Sequence, residues 1–288
     1  MIAVAISVII PTIGRPERLR ALLASLEECE PAPAEVLVID QSQSGEVAEV
    51  VGEFAALGPR AFACEGTGIA RAVNLGLELS AHESVAITHD DCTVAPDWIG
   101  VASGLASSDP GAIFTGRVHP AGGDRWSVPS TIEDPIPHDY TGTPQCRVLY
   151  PNNMVCPRTG VLAIGGFDTR FGPAAEDNDL CYRWLQGGNR LLYEPVLRVW
   201  HHDWRSPAEL RDVYRSYGRG QGAFYAKHLR QGDGRMLRFL AEDLYGAVRA
   251  TAAATVGRQP QRARAPLGLL RGLPGGLLRG WREFGPAP

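Results

Sequence analysis

Three groups of polar residues in this sequence have the type and spacing to do chemistry. The first is His89-Asp90-Asp91, directly after the apolar run 84–88 (SVAIT). Neighbouring carboxylates at a strand end repel each other unless a positive charge lies beside them. A hard divalent cation carried on a diphosphate meets that need. Mg²⁺ or Mn²⁺ takes one or two protein carboxylates and completes its shell with phosphate oxygens and water. The plainer alternative is a solvated pair capping the next helix, and for an isolated Asp-Asp it is the commoner case. The second group is Glu176-Asp177-Asn178-Asp179, after the turn Gly165-Gly166-Phe167-Asp168. Acids favour a helix N-terminus, which accounts for some of this charge but not for so much of it. One of these acids could act as a general base toward an attacking hydroxyl. The third group is His201-His202. A neutral imidazole could complete a metal site with Asp91, against the more common structural role of a single histidine.

These groups need a scaffold that carries them to one edge. Residues 3–10 (AVAISVII) form a continuous apolar run, as expected of a strand covered on both faces. A turn follows, and Pro16 suits the first turn of a helix. In that helix Leu19, Leu22, Leu23 and Leu26 make one apolar stripe. Residues 35–40 (EVLVID) read as a second strand, Phe62 as part of a short third and 69–79 as a helix. Residues 84–88 and 112–116 read as further strands, with a helix opening at Pro96 between them. Strands alternating with helices predict a doubly wound, mainly parallel α/β sheet. Thr12, Asp40, Asp90 and Asp91 then fall at carboxyl ends of strands, where such sheets bind ligands.

Residues 118–150 are rich in Pro, Gly and Asp and read as a long functional loop. A helix is expected near 159–164 and another from Glu176, which carries Leu180 and Trp184. Strand-like segments cover 190–193 and 196–200, and long helices fit within 207–229 and 235–256. Residues 257–288 hold six arginines (Arg258, Arg262, Arg264, Arg271, Arg279 and Arg282) against one acid, Glu283. Leu267, Leu269, Leu270, Leu273, Leu277, Leu278 and Trp281 are interleaved with them. This tail could contact an anionic membrane surface, pack on the domain or stay disordered. Its Gly and Pro residues argue against one continuous helix.

Bulk properties narrow the function. With 44% hydrophobic and 21% charged residues, the 288-residue chain is ordinary for a globular protein, long enough for one large α/β domain with additions. A net charge of −4 points away from nucleic acid as the main partner. Six cysteines without CxxC spacing read as reduced thiols of a cytoplasmic protein. The apolar start lacks a basic leader and ends at Pro11, so it reads as a strand rather than a signal peptide. There is no Walker A sequence and no G-x-S-x-G elbow. Gly66-Thr67-Gly68 is only part of a dinucleotide fingerprint, since Arg71 stands at its third glycine position.

In this order and spacing, the motifs resemble glycosyltransferase family 2. Ser7-Val8-Ile9-Ile10-Pro11-Thr12 with Arg15 looks like that family's first strand and nucleotide-binding turn. Val38-Ile39-Asp40-Gln41-Ser42 resembles its second strand, and residues 68–76 its following helix. His89-Asp90-Asp91-Cys92-Thr93 resembles its metal motif. Gly165-Gly166-Phe167-Asp168 and Glu176-Asp177-Asn178-Asp179-Leu180 with Arg183 resemble its acceptor-side signature, and His201 its late metal-site histidine. The similarity runs from about Ser7 to His202, with a weaker echo to about His228. Two positions depart from it: His89 stands where many relatives have Asp, and Val73 where Arg is common.

The resemblance implies a Rossmann-like GT-A catalytic domain over residues 1–205, with a nucleotide and metal half to about 117 and an acceptor half from 118. A helical extension at 206–256 and the basic tail at 257–288 would follow. Pro11, Thr12, Arg15, Asp40, Arg71 and Asp90 would bind the nucleotide, while Asp91 and His201 would hold Mn²⁺ or Mg²⁺. Asn153, Gly166, Phe167, Glu176 and Trp184 would line the sugar and acceptor pocket. Asp177 would be the base of an inverting displacement on a nucleoside-diphosphate sugar. The acceptor would be a glycan, a lipid-linked glycan or a small molecule. The competing readings are a nucleotidyltransferase and a nucleotide-sugar-binding protein without turnover. The expected location is the cytoplasm, with peripheral contact at the inner face of the membrane through the tail as a further option.

Overall fold

The computed structural model describes residues 4–42, 44–122, 128–172, 174–202 and 205–285. The chain forms two compact units, one of residues 1–167 and 180–203, the other of 168–179 and 204–288.

The first unit is built on a sheet. In chain order its elements are β1 (Ile6–Thr12), α1 (Pro16–Glu27), β2 (Glu35–Asp40), α2 (Glu46–Glu53), β3 (Arg60–Ala63), α3 (Ile69–Leu79), β4 (Ser84–Thr88) and β5 (Cys92–Val94). Then come α4 (Trp98–Ser108), β6 (Ile113–Pro120), β7 (His138–Asp139), β8 (Asn153–Pro157), α5 (Arg158–Ala163), α6 (Glu176–Gln186) and β9 (Leu191–His201). The boundary between the units falls within α6. The strand order is β3-β2-β1-β4-β8-β6-β9-β5, with β7 beside β9. Strands β3, β2, β1 and β4 are parallel, β8 runs antiparallel to both β4 and β6, and β6 is parallel to β9.

The sequence explains this layering. Every residue of β1 is buried, as a central parallel strand requires. Its alternate side chains enter two cores, Val8 and Ile10 on one face and Ile9 on the other. Leu19, Leu22, Leu23 and Leu26 of α1 join the first core, while Ala70, Val73 and Leu77 of α3 join the second. The order of connection reverses between β1 and β4. The carboxyl ends of these two strands, carrying Thr12 and the His89-Asp90-Asp91 turn, are therefore where a doubly wound sheet opens a ligand crevice.

Several local expectations change. Strands β5 and β8 were not anticipated, being short and carrying no alternation. The two segments expected at 190–193 and 196–200 form one strand, which tolerates Pro195 beside a register shift at Gly116/Arg117 of β6. The loop expected from 118 is partly ordered, because β6 runs on to Pro120 and Val118 bridges Ile132. Residues 123–127 of that loop, Ala3 of the expected first strand and 286–288 of the tail lie outside the described residues.

The second unit is helical. It holds a 3-10 turn (Thr169–Phe171), the first turn of α6, then α7 (Pro207–Arg230), α8 (Arg235–Val256) and α9 (Arg264–Glu283). Helix α7 starts with a full capping box between Ser206 and Glu209. The tail corrects the sequence reading: residues 264–283 are one helix despite Pro274 and a run of glycines. Gly268, Gly272, Gly276 and Gly280 recur every fourth residue and face α7, where a Cβ on any of them would overlap α7 backbone or Tyr214, Ala223 or Ala226. The glycines weaken the isolated helix, but they let two backbones approach and so recover packing. Among the described residues no helix is long and apolar enough to cross a membrane, and all six cysteines are unbridged.

Candidate active site

The first unit gathers five of the expected site residues. Thr12 ends β1, and its Oγ1 donates to Asp90 Oδ2 at 2.6 Å. Arg15, in the turn after β1, forks over both acids. Its Nε donates to Asp90 Oδ2 at 3.1 Å and its Nη1 to Asp91 Oδ2 at 2.8 Å, while Nη2 pairs with Asp90 Oδ1. The short pairing of β5 with β9 sets Cys92 opposite His201 and so brings Asp91 to a histidine 110 residues away. His201 Nδ1 donates to the Pro129 carbonyl at 2.8 Å, and Nε2 lies 3.5 Å from Asp91 Oδ1.

Asp90, Asp91 and His201 are all buried. Burial pushes Asp90 up to about 6; Arg15 opposes this and the like charge of Asp91 adds to it. At Asp91 burial also works against ionisation, but His201, Arg15 and His89 together hold it below the ordinary carboxylate range. The set suits a divalent ion. A backbone carbonyl fixes the imidazole by one nitrogen and turns the other toward a charged carboxylate, as metal-ligating histidines are held. Among the described residues no cage of three or more His, Cys, Asp or Glu side chains exists.

Beside this cluster the turns after β1 and β2 nest together. Thr12 pairs with Asp40 and Pro11 with Ile39 in the parallel ladder. Asp40 Oδ1 accepts from Ser42 N at 2.8 Å and Ser42 Oγ at 2.6 Å, forming an Asx-type turn. Gly14 has φ +83°, and a Cβ there would stand 2.5 Å from Ser42 Cβ, so only glycine fits. Gln41, which is not among the expected site residues, ties this turn to the loop before α3 by donating to the Gly66 carbonyl at 2.9 Å and the Gly68 carbonyl at 3.2 Å. Arg71 sits exposed in the first turn of α3 with its Nε against Gly66.

The expected sugar and acceptor residues of this unit have structural partners. Asn153 Oδ1 accepts from Trp98 Nε1, and its Nδ2 donates to the carbonyls of Arg117 and Leu197, each at 2.9 Å. Phe167 and Trp184 belong to a hydrophobic core, and Trp184 Nε1 donates to the Arg190 carbonyl at 2.7 Å. The Gly166-Phe167 turn is stapled to α3, where Asn74 Nδ2 donates to the Phe167 carbonyl at 2.8 Å and Asn74 Oδ1 accepts Phe167 N at 2.9 Å. Arg183 Nη2 donates to the Gly166 carbonyl at 2.6 Å.

The acid run belongs to the second unit, where helix α7 grips it. Ala175 has φ +74°, a strained conformation for a side-chain-bearing residue. It lies just before Glu176 and Asp177. Gly220 of α7 lies so close to Ala174 that a Cβ would overlap the Ala174 carbonyl. One turn later Asn178 Nδ2 donates to Gln221 Oε1 at 2.7 Å. Lys227 Nζ then donates to Asp179 Oδ1 at 2.6 Å and Asp168 Oδ2 at 2.8 Å, and His228 Nε2 lies 3.0 Å from Asp179 Oδ1. Lys227, His228 and Asp179 are all buried. Thus Asp168 and Asp179 are neutralised. Glu176 and Asp177 differ: burial and the neighbouring Asp177 push Glu176 well above the ordinary range, and burial pushes Asp177 up to about 6. Glu176 Oε2 is buried with no hydrogen-bond partner among the described residues.

Comparison with known proteins decides the family. Residues 7–162 match the Glycosyl transferase family 2 model. The chain belongs to this family. It is a glycosyltransferase. The enzyme is 25% identical over 230 residues to the glucosyl-dolichyl phosphate glucuronosyltransferase of Haloferax volcanii, which covers 71% of this chain and 69% of that protein. It is 29% identical over 154 residues to the pre-mycofactocin glycosyltransferase of Mycobacterium tuberculosis, covering 50% of this chain and 32% of that one. In fold it is similar to a Pyrobaculum calidifontis mannosyltransferase solved with GDP-Man and Mn²⁺, with a TM-score of 0.66, 19% identity and coverage of 97% and 88%. It is also similar to GalNAc-T7 solved with UDP, GalNAc and Mn²⁺, with a TM-score of 0.57 and 18% identity. The match covers 80% of the glycosyltransferase but only 51% of GalNAc-T7. The fold is thus GT-A, and family membership decides against nucleotidyl transfer.

Proposed function

We propose that the enzyme moves a sugar from a nucleoside diphosphate to an acceptor hydroxyl in one inverting, metal-assisted displacement. The observation that carries this reading is the pairing of Asp91 with His201, whose Nδ1 is tied to the Pro129 carbonyl. It stands beside Thr12, Asp90 and Arg15 at the switch point of the sheet. Asp91 and His201 would hold Mn²⁺ or Mg²⁺, which when bound offsets the charge of the departing diphosphate. The solved structures of the mannosyltransferase and GalNAc-T7, both with Mn²⁺, support that choice of ion.

The side chains divide the remaining work. Asp40, Pro11 and Thr12 flank the nested turns that would receive the nucleoside, with Arg71 on the adjoining loop. Arg15 is a cation fixed beside the acid pair, and its guanidinium would add positive charge near the diphosphate. Asp90, held by Thr12 and Arg15, keeps that cation in place. Asp177 takes the proton from the acceptor hydroxyl as the oxygen bonds to the anomeric carbon. The bond from that carbon to the diphosphate oxygen breaks, and the nucleoside diphosphate leaves with its electron pair. A base near 6 is ionised at neutral pH yet still basic enough to assist, which suits the role. The acceptor would be a glycan, a lipid-linked glycan or a small molecule; the name of the Haloferax relative favours a lipid-linked one. The test is a transfer assay across nucleotide-sugar donors with excess chelator. Transfer should stop and return with Mn²⁺ or Mg²⁺, whereas full activity in chelator would contradict the metal-assisted reading.

A further inference from the structure

Charge is divided very unevenly along this chain. Residues 1–203 carry 13 Lys and Arg against 26 Asp and Glu, a net −13, while residues 204–288 carry 15 against 6, a net +9. Between Asp243 and Glu283 there is no acid at all, yet seven arginines stand there: Arg249, Arg258, Arg262, Arg264, Arg271, Arg279 and Arg282.

The same region exposes an apolar stripe. Helix α8 buries Met236, Asp243, Ala247 and Ala254 on one face. Its other side presents Leu237, Tyr245, Val248 and Val256 at 60%, 67%, 59% and 86% exposure, with Leu244 beside them. At 100° per residue these five positions fall within about 120° of the helix surface, a stripe as wide as a core-facing one. The stripe ends at Val256 and leads into Arg258, Arg262 and Arg264. On α9 the glycine face is taken up by α7, while Leu278 and Trp281 remain exposed next to Arg271 and Arg282.

We propose that the exposed stripe of α8, with the arginines that follow it, docks this enzyme on an anionic lipid bilayer surface. An apolar stripe bordered by cations and carrying an aromatic at its edge fits the boundary between headgroups and acyl chains. A symmetric, stripe-to-stripe second copy would bring its own +9 region against the first, so charge favours anionic lipid over that dimer. The docking element is thus α8 rather than the tail alone, whose leucines partly serve its packing on α7. Removal of residues 258–288 would strip α7 of its partner and is a poor test.

The experiment uses the full chain with vesicles of phosphatidylcholine alone or with about 30% phosphatidylglycerol. Co-sedimentation should occur with the anionic vesicles only and weaken in high salt as the charges are screened. The double variant Leu244→Glu/Val248→Glu should lose about tenfold or more of the partitioning. Tyr245→Glu alone should show a smaller loss, and both variants should keep the wild-type circular dichroism and melting curve. They should also keep wild-type nucleotide binding, which separates this proposal from the glycosyl-transfer reading. Wild-type protein left in the supernatant with anionic vesicles would overturn the proposal. So would vesicle binding unchanged by both variants. A wild-type dimer that the variants dissociate, without vesicle binding, would assign the stripe to a second copy instead.

Discussion

Two acid pairs differ in one member: burial raises Asp90 as it raises Glu176 and Asp177, and Asp91 alone is lowered. Asp90 and Asp91 meet a guanidinium and an imidazole, and Asp91 is held below its ordinary range despite burial. At Glu176 and Asp177 burial prevails and both rise. Cations from distant α7 do reach the neighbouring acids, but Lys227 is engaged by Asp168 and Asp179, and His228 by Asp179. Under the proposed assignment, Asp91 is a permanent anion for the ion, while Asp177 is a carboxylate whose proton is exchangeable near neutral pH.

The largest expected effect breaks the comparison at its basic end. Asp177→Asn should lower kcat by roughly 10²–10⁴-fold with donor binding retained; normal turnover would remove Asp177 from the role. In the wild type, kcat/KM should rise with pH through about 6 and level off, as the base loses its proton. A flat profile from pH 5 to 8 would contradict that assignment. The next largest effect concerns the neighbouring ion cluster. Lys227→Met leaves Asp168 and Asp179 without their shared ammonium and should cost about 3–5 kcal/mol in denaturant unfolding. Loss of less than about 1 kcal/mol would mean that Arg170 and His228 suffice.

Smaller effects sharpen the picture. Gly220→Ala forces a methyl against the Ala174 carbonyl and should cost about 1–3 kcal/mol. It should also displace the turn before Asp177, so kcat should fall more than KM changes; unchanged kinetics would show that the turn tolerates movement. Asp177→Asn should also raise stability. A carboxyl raised in the folded state stabilises below its unfolded value near 4, and that contribution is lost as pH rises through about 6. The variant should therefore gain about 1–3 kcal/mol over wild type at pH 8 and nothing at pH 4. A gain independent of pH would point to another cause.

How much was legible follows from where each signal lies. Strands β1, β2 and β4 are continuous apolar runs, so their ends, and with them Thr12, Asp40, Asp90 and Asp91, could be placed by counting. His201 could be joined to Asp91 because each comes shortly after an apolar run; the structure makes the link by pairing β5 with the end of β9. Strands β5 and β8 were hidden because three and five residues between turns carry no periodic signal. Helix α9 was hidden because its glycines are unfavourable until α7 is present, which is tertiary context overriding local propensity. Lys227 and His228 drew no reading from the sequence, because their buried partner Asp179, 48 and 49 residues away, leaves no local trace. Asn153 and Trp184 were placed in the pocket by the family resemblance, whereas the structure bonds their polar groups to Trp98 and to backbone carbonyls.

The most direct test is calorimetric titration of wild type, Asp91→Asn and Asp177→Asn with UDP, GDP and dTDP, each with and without Mn²⁺. One nucleotide should bind wild type and Asp177→Asn alike and only with the metal, and Asp91→Asn should lose that dependence together with most of the affinity. Metal-dependent binding that survives intact in Asp91→Asn, or none to folded wild type, would contradict the assignment of the two acid pairs.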